Sequence, residues 1–213
     1  SPDCRLPATD QNQQGPDDDG DGWGVCCDCD DTEPDTHPYR REIPGDEVDN
    51  DCNGLVDETG GLMVRLTFYP DVWIDVYEIG VYDHPDCTGH QYGVDSDDFP
   101  AGFPVEGIRD VDLYACSLPG VVPSGHLSWY RARWACEAQG KRLCSVEEWG
   151  VACSGSGTTA YPYGHAFEPG RCNDVFAGQG QAAPAGAYQG CLSEIGTRDQ
   201  SGNLHEWLKT WSD

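Results

Sequence analysis

Three aspartates at alternate positions, Asp17, Asp19 and Asp21, are followed at once by Gly22, and this spacing constrains the N-terminal quarter of the chain more than any other feature. Alternate residues of a tight loop can turn their carboxylates to one centre, and a glycine at the sixth position permits the sharp turn that keeps them there. A hard cation satisfied by about six to eight oxygens suits such a loop. In this register Trp23 offers its backbone carbonyl at the seventh position, and Asp28 falls at the twelfth, where the longer Glu is usual. A second loop begins at Asp49, with Asp51 and Asn53 following, then Gly54, the Leu55 carbonyl and Asp57. Its twelfth position is Gly60, so a ligand must come from elsewhere; Asp28, Asp30 or Asp31 would fuse the two loops into one unit. The expected ion is calcium, because magnesium keeps more of its water than a site so rich in protein oxygens allows. Zinc or copper at the run Cys26-Cys27-Asp28-Cys29 is the alternative, since thiolates favour those metals.

The charge balance agrees with a cation-dependent chain. Acidic side chains number 38 and basic ones 12, for a net charge of -26. Such a chain repels nucleic acid and anionic membrane, and repels itself until cations neutralise part of its field. No apolar run is long enough for a transmembrane segment. Twelve Cys against one Met points to an oxidising compartment, hence a secreted or cell-surface protein. The chain starts at Ser1 with no Met and no signal peptide, which reads as a mature form or an ordered fragment. Hydrophobic content of 38% with 27 Gly and 15 Pro predicts much loop, with disulfides and metal replacing part of a core.

The organisation changes near Thr59-Gly60-Gly61. Residues 1–59 carry 18 acidic and 3 basic side chains, for a net of -15, and no periodic apolar pattern. They read as a small irregular calcium-loop module stapled by disulfides. Residues 62–213 read as a second, α+β domain, rich in loops. Leu62, Val64, Leu66 and Phe68 alternate with Met63, Arg65 and Thr67 as in a strand, and Val72 to Ile79 reads as another. A helix runs from a Ser128 cap to Gln139, with Ala132, Ala135 and Cys136 on one face and Gly140 to end it. A second helix opens on the capping box Ser145-Val146-Glu147-Glu148. Trp129, Trp134, Trp149 and Trp207 read as core, and 154–203 as long ordered loops.

Two resemblances follow from these segments. Asp17–Gly24, Asp28–Pro34 and Gly45–Glu58 resemble the Asp-rich MopE-type metal-binding repeat of bacterial surface and secreted proteins. That resemblance implies an extracellular bacterial protein with structural calcium. The family often has a Cys shortly before VDNDC, whereas this chain has Asp46-Glu47-Val48 there, so its cysteine pairing should differ. Trp73–Gly80, Leu127–Cys153, Tyr161–Gly164, Arg171-Cys172-Asn173 and Ser201–Trp207 follow in the order of the formylglycine-generating enzyme (sulfatase-modifying factor) family. That resemblance implies a C-type-lectin-like fold with structural calcium, carried over to Asn173 and Asp174 in one loop and to Asn203 and Glu206 in another. The family's copper-binding catalytic cysteines lie well after the segment matching Ser201–Trp207. Leu208 to Asp213 contain no Cys, so the expectation is a protein without that oxidase chemistry. No H-E-x-x-H or G-x-S-x-G pattern offers another reaction, and His205-Glu206 reads as structural.

The expected function is therefore a non-catalytic, calcium-binding structural or adhesive protein that forms the repeated subunit of a fibre. The alternative is an enzyme or enzyme fragment of the formylglycine-generating family, or a glycan-binding module on its fold, with Tyr161 and Tyr163 as sugar-stacking rings. All twelve cysteines are expected in disulfides: Cys4, Cys26, Cys27, Cys29 and Cys52 in the module, then Cys87, Cys116, Cys136, Cys144, Cys153, Cys172 and Cys191. Both counts are odd, so one bridge would join the modules or two chains, and self-association by disulfide or strand donation follows. Cys144 and Cys153 flank a helix, which separates them by roughly 13 Å at about 1.5 Å per residue, too far to pair. Cys172 with Cys191 is the preferred loop-closing pair.

Overall fold

The computed structural model describes residues 15–38, 40, 42–43, 46–52, 56, 61–66, 68–155 and 159–209. The chain divides into two compact units, Ser1–Leu62 and Met63–Asp213.

The first unit has no helix or strand among its described residues; turns follow one another from Pro16 to Cys52. Its described interior is mostly polar: besides Trp23 and Leu62, the buried side chains are Asp28, Thr36, Glu42, Asn50 and Asp51. A disulfide between Cys29 and Cys52, with Cα atoms 5.6 Å apart, ties the end of the first Asp loop to the second.

The second unit is α+β and loop-rich. Strands β1 (Met63–Leu66) and β2 (Tyr69–Asp75) pair antiparallel, Val64 opposite Ile74. The alternation that predicted one long strand stops early: a bulge between Arg65 and Leu66 breaks the register, and Phe68 lies on the turn, 57% exposed. β2 also ends sooner than expected, because the Tyr77 N–H donates to Ser117 Oγ and the Val76 carbonyl accepts from Arg198, bonds that leave the ladder. β3 (Gly80–Tyr82) is the middle strand of a three-stranded antiparallel sheet, between β4 (Gln91–Tyr92) and β5 (Tyr114–Cys116).

Helix α1 (Trp129–Ala138) starts where Ser128 Oγ accepts the Arg131 N–H and ends before Gly140, whose φ of 73° only glycine adopts freely. It buries Arg131, Ala132, Ala135 and Cys136. Helix α2 (Val146–Ser154) opens on the reciprocal bonds of the Ser145 and Glu148 capping box. Ala135 and Cys136 join Val81, Phe99, Phe103, Leu113 and Ala115 in the main core, with Trp134 packed against it. A second cluster, Leu66, Ile74 and Ala152, fastens α2 to β1 and β2. Trp207 does not enter either cluster; it is 48% exposed, with its indole N–H donating to the Leu127 carbonyl.

Candidate metal centre and the disulfide framework

The first Asp loop is built from side chains that turn back on their own backbone. Asp17 accepts N–H bonds from Gly20 and Gly22, Asp19 from Asp21, and Asp21 from Trp23. These short-range bonds hold Asp19 and Asp21 in place through one oxygen each, and Asp17 through both. Gly22, at φ 100°, makes the turn that the sixth position demands. Ligand oxygens of Asp17, Asp19 and Asp21 then lie within 4.8 Å of one another.

The other oxygens are the informative ones. Oδ2 of Asp19, Asp21 and Asp28 is buried and has no hydrogen-bond partner. Asp28 is 8% exposed, and its Oδ1 is held by the Asp30 N–H. Burial raises the carboxyl pKa of both Asp21 and Asp28, and the neighbouring aspartates add repulsion. Three buried carboxylate oxygens without a hydrogen bond cost free energy unless a cation meets them. Asp17, Asp19 and Asp21 offer only oxygen, so a hard divalent cation fits them; Asp28 groups with Cys29 and Cys52, whose sulfurs are joined in a disulfide. Trp23 stacks on His37 at 6.3 Å beneath this loop, and His37 Nε2 stands 3.9 Å from Asp21 Oδ2.

The second loop brings Asp49 and Asp51 together with a residue the spacing did not indicate, Glu42; their ligand oxygens lie within 4.8 Å. Glu42 is buried and accepts the Asp51 N–H at 3.0 Å. It stands seven residues before Asp49, outside any loop repeat. Oδ1 of Asp30 accepts from Thr32, and Oδ1 of Asp31 accepts the Asp18 N–H, which ties Asp31 to the first loop. Asn53, Leu55 and Asp57, with Cys4, lie outside the described residues.

The cysteines differ from the expectation that all are bridged. Cys87–Cys116 and Cys172–Cys191 are disulfides in the larger unit, and Cys27 is disulfide-bonded too. Cys26, Cys136, Cys144 and Cys153 are free thiols. The physical reason is placement: Cys136 lies in the main core, Cys144 packs against the second cluster, and Cys26 faces solvent. Burial pushes the thiols of Cys136, Cys144 and Cys153 up to about 12, 11 and 11, which makes them inert. A zinc or copper site at Cys26–Cys29 loses two of its three sulfurs to disulfides.

In the larger unit, Asn203 is a hub. Its side chain donates to Glu78 and to the Ala183 carbonyl, and accepts from the Ala183 N–H and the Asn173 amide. Glu78 also accepts the Leu204 N–H at 2.8 Å, and burial pushes its carboxyl up to about 8. Gly202 lets this loop close on Asn173, since a Cβ there would stand 2.6 Å from the Asn173 carbonyl oxygen. Asp174 caps the next turn, accepting N–H bonds from Gly170, Phe176 and Ala177. Glu206 is exposed. Asn173 and Asn203 are thus brought together, whereas Asp174 serves the backbone.

Comparison with known proteins agrees with both units. Residues 57–213 match the sulfatase-modifying factor enzyme 1-like domain, and residues 28–58 match the MopE-type metal-binding motif. The chain belongs to the sulfatase-modifying factor enzyme 1-like family, with a metal-binding motif ahead of that domain. Among curated relatives it is similar to inactive C-alpha-formylglycine-generating enzyme 2 of Bos taurus and of Mus musculus. Each is 34% identical over 122 residues, which is 51% of this chain. The aligned part covers 36% of the bovine protein and 35% of the mouse one, so the chain spans about a third of those relatives. No helix among the described residues is long and apolar enough to cross a membrane. The disulfides fit an oxidising compartment.

Proposed function

We propose that the protein is a non-catalytic, extracellular calcium-binding member of its family, with a structural or adhesive role. The observation that carries the calcium reading is the set of buried Oδ2 atoms on Asp19, Asp21 and Asp28 that have no hydrogen bond. Oxygen-only donors favour calcium over copper, and the disulfides at Cys27 and Cys29 remove the sulfur that copper would use. The non-catalytic reading is supported by relatives that bear the name inactive. Self-association belongs to the same reading: Cys26 is an exposed free thiol, free to bridge to a second chain.

Isothermal titration of the chelator-stripped protein with calcium, magnesium and copper(II) tests the metal. Calcium should bind with Asp21→Ala and Asp28→Ala each abolishing the first site, and magnesium should bind far more weakly. Copper binding that survives both substitutions, with no calcium heat, would reject the reading. Electrophoresis without reductant checks the bridge, which Cys26→Ser should remove.

A further inference from the structure

A ribbon of aromatic rings crosses the loop region of the larger domain. Tyr163 stacks on Tyr161 with centroids 5.5 Å apart and planes 10° from parallel. Tyr161 meets Phe167 at 5.6 Å, and Phe167 meets Phe176 at 5.5 Å. Rings in a core would be covered, but Phe167 is 42% and Phe176 65% exposed, and the adjoining Val175 is 89% exposed. Leaving such groups in water opposes the hydrophobic effect, and a contiguous patch of them marks an interaction site.

The ribbon is held rigid from beneath. Tyr161 and Gly164 exchange backbone hydrogen bonds, and Asp174 fixes the Phe176 N–H. The Cys172–Cys191 disulfide closes the base of the loop. Arg171 lies over the Tyr163 ring at 5.3 Å, donates to the Gly190 carbonyl and pairs with Glu168 at 2.8 Å. Little conformational freedom remains to be lost on binding, which favours affinity from a small surface.

We infer that this ribbon binds a neutral sugar chain. Three features on the surface select that occupant. Size is the first: the exposed apolar part consists of Phe167, Val175 and Phe176, far less than the roughly 800 Å² per partner of a stable protein pair. Charge is the second: Glu168 and Arg171 neutralise each other, while the chain as a whole carries -26, which repels acidic glycans and nucleic acid. Chemistry is the third. The apolar C–H face of a sugar stacks on an aromatic ring, and its hydroxyls at the edge meet the tyrosine hydroxyls, Glu168 and Arg171. Phe167 and Phe176 are the exposed rings and can each carry one sugar residue, while Tyr163, packed between Tyr161 and Arg171, supports them. The inference is independent of the metal and of the calcium reading.

The test is calorimetric titration of the full, calcium-loaded chain with hexasaccharides of cellulose, mannan and dextran, and with an oligogalacturonate as the acidic counterpart. At least one neutral hexasaccharide should bind and the acidic one should not. Phe167→Ala and Phe176→Ala should each weaken binding by about tenfold, since loss of one stacked ring is about that large. Phe176→Trp should retain it. Both phenylalanines are exposed, so the thermal midpoint should stay at the wild-type value in every variant. Absence of binding to all three neutral sugars, or binding that the alanine variants leave unchanged, would overturn the inference. So would an oligomer that falls apart on Phe176→Ala, because the ribbon would then be a joint between copies.

Discussion

In the described part of the Asp-rich unit, two of seven buried side chains are apolar, Trp23 and Leu62. In the larger unit Leu66, Val76, Val81, Phe103, Leu113 and Ala135 are buried to the last few per cent. One region hides carboxylates and the other hides hydrocarbon. The difference sets what each requires. Hydrocarbon burial is favourable in plain water and needs no partner. Carboxylate burial is unfavourable until a cation arrives, so the free energy of metal binding becomes folding free energy. The two units should therefore answer to different perturbations.

Chelation should have the largest effect. Amides between Gly15 and Cys52 should lose their protection from hydrogen exchange when calcium is stripped, while those of β3, β5 and α1 keep theirs. The Cys29–Cys52 bond will hold the chain ends together but cannot supply the missing charge. Asp19→Ala should reproduce the loss in the presence of calcium. Equal protection with and without the ion would show that the Asp-rich unit folds on its own and that the contrast is mistaken.

The converse perturbation is Phe103→Ala. Phe103 has no exposed surface and touches Phe99 and Trp134 at ring centroids 5.9 Å apart. Its removal leaves a cavity worth about 3–5 kcal/mol. Denaturant unfolding of the larger domain should shift by that amount, and calcium affinity measured by titration should not move. A weakened calcium site would mean that the two units share their stability.

What could be read from the sequence divides along a physical line. Features set by neighbours in the chain were legible: the Ser128 and Ser145 caps, the alternating aspartates, the glycine at Gly22, and the loop closed by Cys172 and Cys191. Features set by distant partners were not. Glu42 reaches the second Asp loop across a turn, and Glu78 meets Asn203 across 125 residues. Phe68 reads as a core residue until the bulge beside Leu66 rotates it outward. Trp207 reads as core from its type alone, whereas its indole is placed by one bond to Leu127. The four free thiols have the same origin, since pairing depends on which cluster each Cys packs into. The exposed rings of Phe167 and Phe176 gave no signal, because aromatic residues without period look alike in a core or on a surface.

The smallest expected effect concerns a carboxylate that the larger domain does satisfy internally, and it sharpens the contrast with Asp28. Glu148 accepts two bonds from Arg142 at 2.7 Å each and a third from the Ser145 N–H at 2.8 Å. The Arg142 hydrogen bonds, then the Ser145 bond, hold its carboxyl below the usual value of 4.5. A lowered folded-state pKa gives stability that is complete above the unfolded-state value and is lost as pH falls through the folded one. Glu78 works in the opposite sense: its carboxyl, pushed to about 8, favours the fold at low pH and withdraws that support as pH rises from 4.5 through about 8. Comparing Glu148→Gln with wild type at each pH cancels the Glu78 background. The variant keeps the shape and loses the charge. Arg142 is half exposed, so solvent screening leaves the pair about 1–2 kcal/mol. The gap in thermal midpoint should be full at pH 7, shrink below about 4.5 and close once Glu148 is protonated in both states. It should be the same with calcium and with chelator. A gap that grows on acidification would reverse the sign assigned to Glu148, and a gap that needs calcium would place this ion pair under the control of the Asp-rich unit.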